Sequence, residues 1–327
     1  GTRLLGGKDS AQPRYIHTKL AQITGKLFNK SDDPLYDYND DDGQKVEPIY
    51  YVPTLPLLLI NGSSGIGTGW STDIPPFNPK DILKNIKLHF AGLQMEEMLP
   101  YYRNFNGTIY KNGNNYYSKG IYSAKNDVIT IKELPIGLWS DKYKEYLESL
   151  IIDSKAKTSK QIIRYYNSYC NDIDVHFEII MDQNLIASLN VYDEKIKMTK
   201  LEKVLKIITS INTTNMVAFD RNNKIRKYSS ANEILVDYID TRLHYYNLRK
   251  INLIKVLDEE INYLSMKIRF IKEFISGVLK INNQTKVMII EQLEKGNFAM
   301  KDGNYDYLLK MPIYNLTKEK IDEFDNI

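Results

Sequence analysis

Residues 232–276 read NEILVDYIDTRLHYYNLRKINLIKVLDEEINYLSMKIRFIKEFIS, a stretch without proline or glycine. Within it Ile239, Leu243, Tyr246, Lys250, Leu253, Leu257, Ile261, Leu264, Ile268, Ile271 and Ile275 recur at alternating steps of four and three, with one extra four between Leu257 and Ile261. Such a period is a heptad seam with a single irregular step. About 46 residues at 1.5 Å each predict a rod of roughly 70 Å. A helix that long either bridges or dimerises, or lies packed on its own globule. Downstream, residues 278–325 read as short helices, one over 283–295 and one with a capped start at Thr317.

Upstream of the helix the texture is mixed. The run Leu57-Leu58-Leu59-Ile60, bounded by Pro56 and Gly62, reads as a buried strand. A helix is expected from Pro79, with Asp81 in its first turn, to about Phe90. Residues 107–133 alternate in strand fashion. Helices are expected over 142–152 and 200–208, and a strand over 175–181. The fold class is therefore α+β, with no detectable repeat.

Residues 1–30 are basic: Arg3, Lys8, Arg14, Lys19, Lys26 and Lys30 face one acid, Asp9. The sign then reverses at Asp32, Asp33, Asp37, Asp40, Asp41 and Asp42. That run reads as a solvated loop, or as a loop that repels phosphate and bounds a groove. Over the whole chain of 327 residues the net charge is only +3, which neither supports nor excludes nucleic acid as a partner. Hydrophobic residues at 43% and charged residues at 26% are ordinary for a globular protein. A single cysteine, Cys170, excludes an internal disulfide and a cysteine-based zinc site. No run approaches the roughly 20 apolar residues of a membrane span, so no membrane partner is expected. The chain opens on Gly1 without Met and stops in a charged run, which reads as a piece of a longer protein.

Two segments offer chemistry. Gly6-Gly7-Lys8-Asp9 precedes Pro13-Arg14-Tyr15-Ile16. Glycines admit close backbone approach, and Lys8 suits a phosphate as a point charge. A phenol with pKa near 10 is a poor nucleophile at neutral pH. A neighbouring guanidinium favours the phenolate and holds a non-bridging phosphate oxygen during phosphoryl transfer. The second segment is Gly62 to Trp70. It lacks the Gly-Lys-Ser/Thr of a P-loop and the spacing of a dinucleotide fingerprint. It sets one apolar residue, Ile66, among glycines. Ile66 is either buried in a tight turn or exposed as a wedge that kinks DNA.

In order along the chain, Gly1-Thr2-Arg3-Leu4 with Gly6-Gly7-Lys8-Asp9, Pro13-Arg14-Tyr15-Ile16, Val46-Glu47-Pro48, Leu59-Ile60-Asn61-Gly62, Gly65-Ile66-Gly67-Thr68-Gly69-Trp70, Asn104-Phe105-Asn106-Gly107-Thr108-Ile109, Glu133-Leu134-Pro135, Arg242-Leu243-His244-Tyr245-Tyr246 and Leu308-Leu309-Lys310-Met311-Pro312 resemble the type IIA DNA topoisomerases, eukaryotic or viral DNA topoisomerase II. The likeness falls on their DNA breakage-reunion part and spans nearly the whole chain. His17 and Ala11-Gln12 depart from the usual pattern.

The resemblance implies three parts: the end of a winged-helix domain over 1–45, an α/β tower over 46–228, and a coiled-coil arm with a helical C-gate over 229–327. It makes Tyr15 the nucleophile that joins the 5′ end of a cut strand, and Arg14 the transition-state stabiliser. Ile66 becomes the intercalating wedge, and Lys8, Gly6, Gly7 and Arg3 contacts to DNA. The implied partners are double-stranded DNA, as gate and transported segments, and a second copy in a homodimer. Mg²⁺ and ATP are implied for the parent protein, with ligands outside this chain, so this piece alone is expected to be inert. The implied location is the nucleus, or the host cytoplasm for a viral member. The rival reading is a non-enzymatic DNA-bending scaffold with a coiled-coil arm.

Overall fold

The computed structural model describes residues 1–151, 162–194 and 197–312. They form two compact units, one of residues 1–30 and 36–243, the other of 31–35 and 244–312.

The first unit holds two cores. One lies under a four-stranded antiparallel sheet in the order Ile121–Lys125, Val128–Glu133, Phe177–Ile180, Tyr165–Ser168. Its strands send Ile129, Ile131, Phe177 and Ile179 inward, as a period of two requires. Helix Ser140–Leu150 covers them with Tyr143 and Leu147. The Tyr143 ring meets Phe177 edge-on, and its hydroxyl donates to the Leu205 carbonyl at 2.7 Å. Burial pushes that phenol's pKa up, so the buried hydroxyl stays a neutral donor. The second core gathers Leu59, Phe77, Ile82, Met216, Tyr228, Leu235 and Ile239.

Three expectations change here. Leu57–Asn61 is a short helix, not a strand. An unbroken apolar run does not distinguish the two, and Pro56 decides it: its carbonyl accepts from the amides of Leu59 and Ile60. Gly62, at φ 70°, ends the turn in a conformation that favours glycine. The helix expected over 200–208 stops at Val204, although Thr199 and Glu202 form a full capping box at its start. Residues 208–211 pair instead with strand Asn115–Lys119. The acidic run is not a loop throughout: Tyr38–Asp41 and Gln44–Pro48 form a hairpin, with Asp40 accepting from the Gly43 amide.

The helix from Pro79 ends at Phe90 as expected and is capped by Asn78. The long helix runs Ala231–Ile275 without a break. In the second unit, Phe270 packs with Leu279, Ile289, Leu293, Phe298, Tyr305 and Leu308. Asp32 is fully buried there against the Arg249 guanidinium. Helix Lys286–Lys295 is capped by Thr285. Leu308 lies in this unit's own core, and Leu309 and Met311 pack partly against it. Ile152 and the Thr317 start fall outside the described residues. By contrast Leu253, Leu257 and Ile261, in the middle of the seam, are exposed.

Candidate active site

Residues 1–10 close into a loop of their own. The Gly7 amide donates to the Thr2 carbonyl at 2.9 Å, and the Thr2 amide bonds both carboxylate oxygens of Asp9, at 2.9 and 3.0 Å. These bonds from Thr2 hold the Asp9 carboxyl below the usual carboxylate range. Gly6 has φ 65°, and a Cβ there would collide with the Trp139 indole. Both facts require glycine at that position.

The loop is braced from beneath. The Arg3 guanidinium pairs with Glu133, which is 1% exposed, and the Asn106 amide donates to the same carboxylate at 3.2 Å. The Arg3 amide donates to the Asp172 carbonyl, and the Asp141 amide to that of Leu4. Arg3, expected to touch DNA, has its guanidinium on Glu133 and so braces the loop from within the fold. Gly6 likewise packs on Trp139. Lys8 is the exposed cation of the loop.

Sequence reasoning gave Glu133 and Trp139 no role. For Glu133 the signal existed: it shares the inward parity of Ile129 and Ile131, where an acid needs a buried partner. Glu133→Ala leaves the Arg3 guanidinium and the Asn106 amide without their acceptor. It is expected to destabilise the unit by about 3 kcal/mol, read by thermal melting.

Beyond the loop, Pro13–Tyr15 form one 3-10 turn. Pro13 fixes its first φ, and the Ile16 amide closes it on the Pro13 carbonyl. The turn sets the Arg14 guanidinium over the Tyr15 ring, 4.8 Å from its centroid. Tyr15 is 73% exposed, and among the described residues no protein group bonds its hydroxyl. An exposed phenol with a guanidinium on its ring is open to an incoming phosphate.

Ile66 stands on a separate hairpin. Strands Ser63–Ile66 and Ser71–Ile74 pair antiparallel, with Ile66 opposite Ser71. The Gly67 amide donates to the Trp70 carbonyl at 2.8 Å and closes the tip. Ile66 is 93% exposed, so the buried-turn reading fails. The hairpin's hydrogen bonds to the rest of the unit run through Ser71, Thr72 and Asp73, and the Ile66 side chain itself stays uncovered. Among the described residues no group of three or more His, Cys, Asp or Glu is placed to hold a metal, and no helix is long and apolar enough to cross a membrane.

The family described as the DNA gyrase/topoisomerase IV A subunit matches residues 1–326. The chain belongs to this family. It is 37% identical over its full length to the mitochondrial DNA topoisomerase 2 of Dictyostelium discoideum, and 38% identical over 99% of its length to the DNA topoisomerase 2 of Plasmodium falciparum. It spans about a quarter of each, 25% in both cases. A solved structure of the DNA-binding, cleavage and re-ligation domain of Plasmodium falciparum topoisomerase II superposes with a TM-score of 0.79 at 37% identity. That match covers 100% of this chain and 47% of the other. The mixed helix and strand architecture is thus that of a type II topoisomerase DNA-cleavage region.

Proposed function

We propose that this chain carries the strand-cleaving half of a type IIA DNA topoisomerase site, in a parent enzyme that passes one duplex through a transient break in another. The observation that carries the proposal is the exposed Tyr15 with the Arg14 guanidinium over its ring, one turn beyond a braced Gly-Gly-Lys-Asp loop.

In the reaction, Tyr15 Oη attacks a backbone phosphorus. The phosphorus–O3′ bond breaks, the 5′ phosphate stays on the tyrosine, and the 3′ oxygen leaves as a hydroxyl carrying a proton. Religation is the reverse attack, and because the tyrosine ester conserves the bond, resealing needs no ATP. Arg14 holds the non-bridging oxygens as charge builds, and Lys8 takes a neighbouring phosphate. The described residues offer no carboxylate cluster for Mg²⁺. Mg²⁺ and ATP belong to other parts of the parent.

The same reading takes residues 1–45 as the end of a winged-helix domain, 46–228 as a tower, and 229–327 as a coiled-coil arm leading to a gate. The exposed Leu253, Leu257 and Ile261 support the arm, since a bare heptad seam needs an apolar partner. Two strands need two copies of Tyr15, so the parent acts as a homodimer. On this reading a cellular parent works in the nucleus, and a viral one in the host cytoplasm. Mass spectrometry of nuclease-trimmed adducts tests the proposal directly: a nucleotide on Tyr15 is expected, and one on any other tyrosine refutes it.

Ile66 acts as the wedge. Unstacking a base step kinks the duplex, at a deformation cost that depends on the step. Ile66→Ala is expected to reduce bending, read by energy transfer between duplex ends, and to shift the map of cleavage sites. Unchanged bending with an unchanged map removes the wedge.

A further inference from the structure

We infer that strands Met216–Phe219 and Ile225–Tyr228 form a second DNA-contacting hairpin, in which Arg221, Lys224 and Lys227 clamp phosphates of the duplex that Ile66 enters. The inference rests on the cleavage reading above and assigns it residues that neither motif nor comparison singled out.

Placement comes first. The second hairpin is strapped to the wedge hairpin along its length. The Asp73 amide donates to the Asn215 carbonyl at 2.9 Å, Thr72 Oγ1 to the Val217 carbonyl at 2.6 Å, and Asn215 Nδ2 to Ser71 Oγ at 3.0 Å. At the end of that run the Phe219 ring meets Trp70 edge-on, 5.6 Å between centroids. Trp70 closes the tip that bears Ile66. From Asn215 to Phe219 the second hairpin therefore runs toward the wedge, and its turn begins one residue later.

That turn is built before any ligand arrives. Asp220 Oδ1 accepts from the amides of Asn222 and Lys224, both at 2.9 Å, and Asn223 adopts φ 58°. Tyr50 donates its hydroxyl to the Arg221 carbonyl at 3.2 Å. A preformed turn loses little freedom on binding.

Charge decides the occupant. Four cations lie between residues 221 and 227, and one is used internally: Arg226 pairs with Glu233 and stacks on Tyr228. Arg221, Lys224 and Lys227 are exposed, and among the described residues none of them forms an ion pair. Lys227 has the strand parity of Ile225 and, across the pair, of Phe219, so it shares the face that meets Trp70. Cations beside a wedge do what the wedge cannot do alone. The kinked duplex costs deformation energy, and contacts that exist only on the bent form offset it.

The test uses the full-length dimeric enzyme and an end-labelled duplex that carries one cleavage site. Binding is measured across a KCl series for wild type and for Arg221→Ala/Lys224→Ala/Lys227→Ala. Each phosphate contact contributes about 0.9 to the slope of log affinity against log salt. The triple variant is expected to flatten that slope by about 2–3 and to bind about 30–200-fold more weakly near 0.15 M salt. An unchanged slope overturns the clamp. So does an equal flattening from Lys80→Ala/Lys87→Ala on helix Pro79–Phe90, which would mark a general charge effect. Tyr15 adducts and Ile66-dependent bending, measured on the same proteins, report on the cleavage reading separately. If both persist while the slope stays put, only the clamp is lost.

Discussion

Tyr15→Phe, made in the full-length enzyme, is expected to abolish the covalent protein–DNA adduct while leaving duplex binding nearly intact. The substitution removes one oxygen from a side chain that is 73% exposed. No described group bonds that oxygen, so folding stability is expected to stay within about 0.5 kcal/mol, as for other surface changes. The Arg14 guanidinium keeps a ring to stack on, so the local geometry survives. What disappears is the atom that bonds phosphorus. Denaturant-trapped adducts on labelled duplex, together with a binding isotherm on the same preparation, check this. Adducts at wild-type yield would move the nucleophile elsewhere. Lost binding would show that the phenol anchors DNA rather than cutting it.

Legibility in the sequence followed the range of the interactions. The long helix was readable because its period and its lack of proline and glycine are local properties, and it appears as Ala231–Ile275. The Pro79 helix was equally plain from its own cap and first turn. Leu57–Asn61 was misread because its pattern is the same for strand and helix, and the contacts that decide lie at Pro56 and Phe77. The helix from Lys200 ran short because a strand distant in sequence claims its last expected residue, Ile208, which pairs with Lys119.

The site divides in the same way. Arg14 and Tyr15 are adjacent, so their pairing could be proposed from the chain alone. Whether Ile66 stood exposed or buried could not, because that depends on the rest of the unit leaving its side chain uncovered. The Arg3–Glu133 brace joins residues 130 positions apart, and only the fold shows that Arg3 is spoken for.

Arg14 carries the other large effect, and its two possible uses separate cleanly. A guanidinium that merely attracts DNA supplies one phosphate contact, and its loss weakens binding by about fivefold near 0.15 M salt. Saturating DNA restores the rate in that case. A guanidinium that meets charge as it forms on phosphorus acts on the chemical step, and losing one such donor typically costs about 10²–10³ in rate even at saturation. The turn that places Arg14 on the Tyr15 ring favours the second use, because it fixes the donor on the ring that carries the attacking atom. Arg14→Ala is therefore expected to slow single-turnover cleavage by about 10²–10³ under saturating DNA. Arg14→Lys should recover binding but only part of the rate, since an ammonium keeps the charge and loses the planar fork and the stacking. Cleavage by the lysine variant at the wild-type rate would reduce Arg14 to a point charge. Full recovery of the alanine variant at high DNA would make it a binding residue, and the transition state would then need another donor.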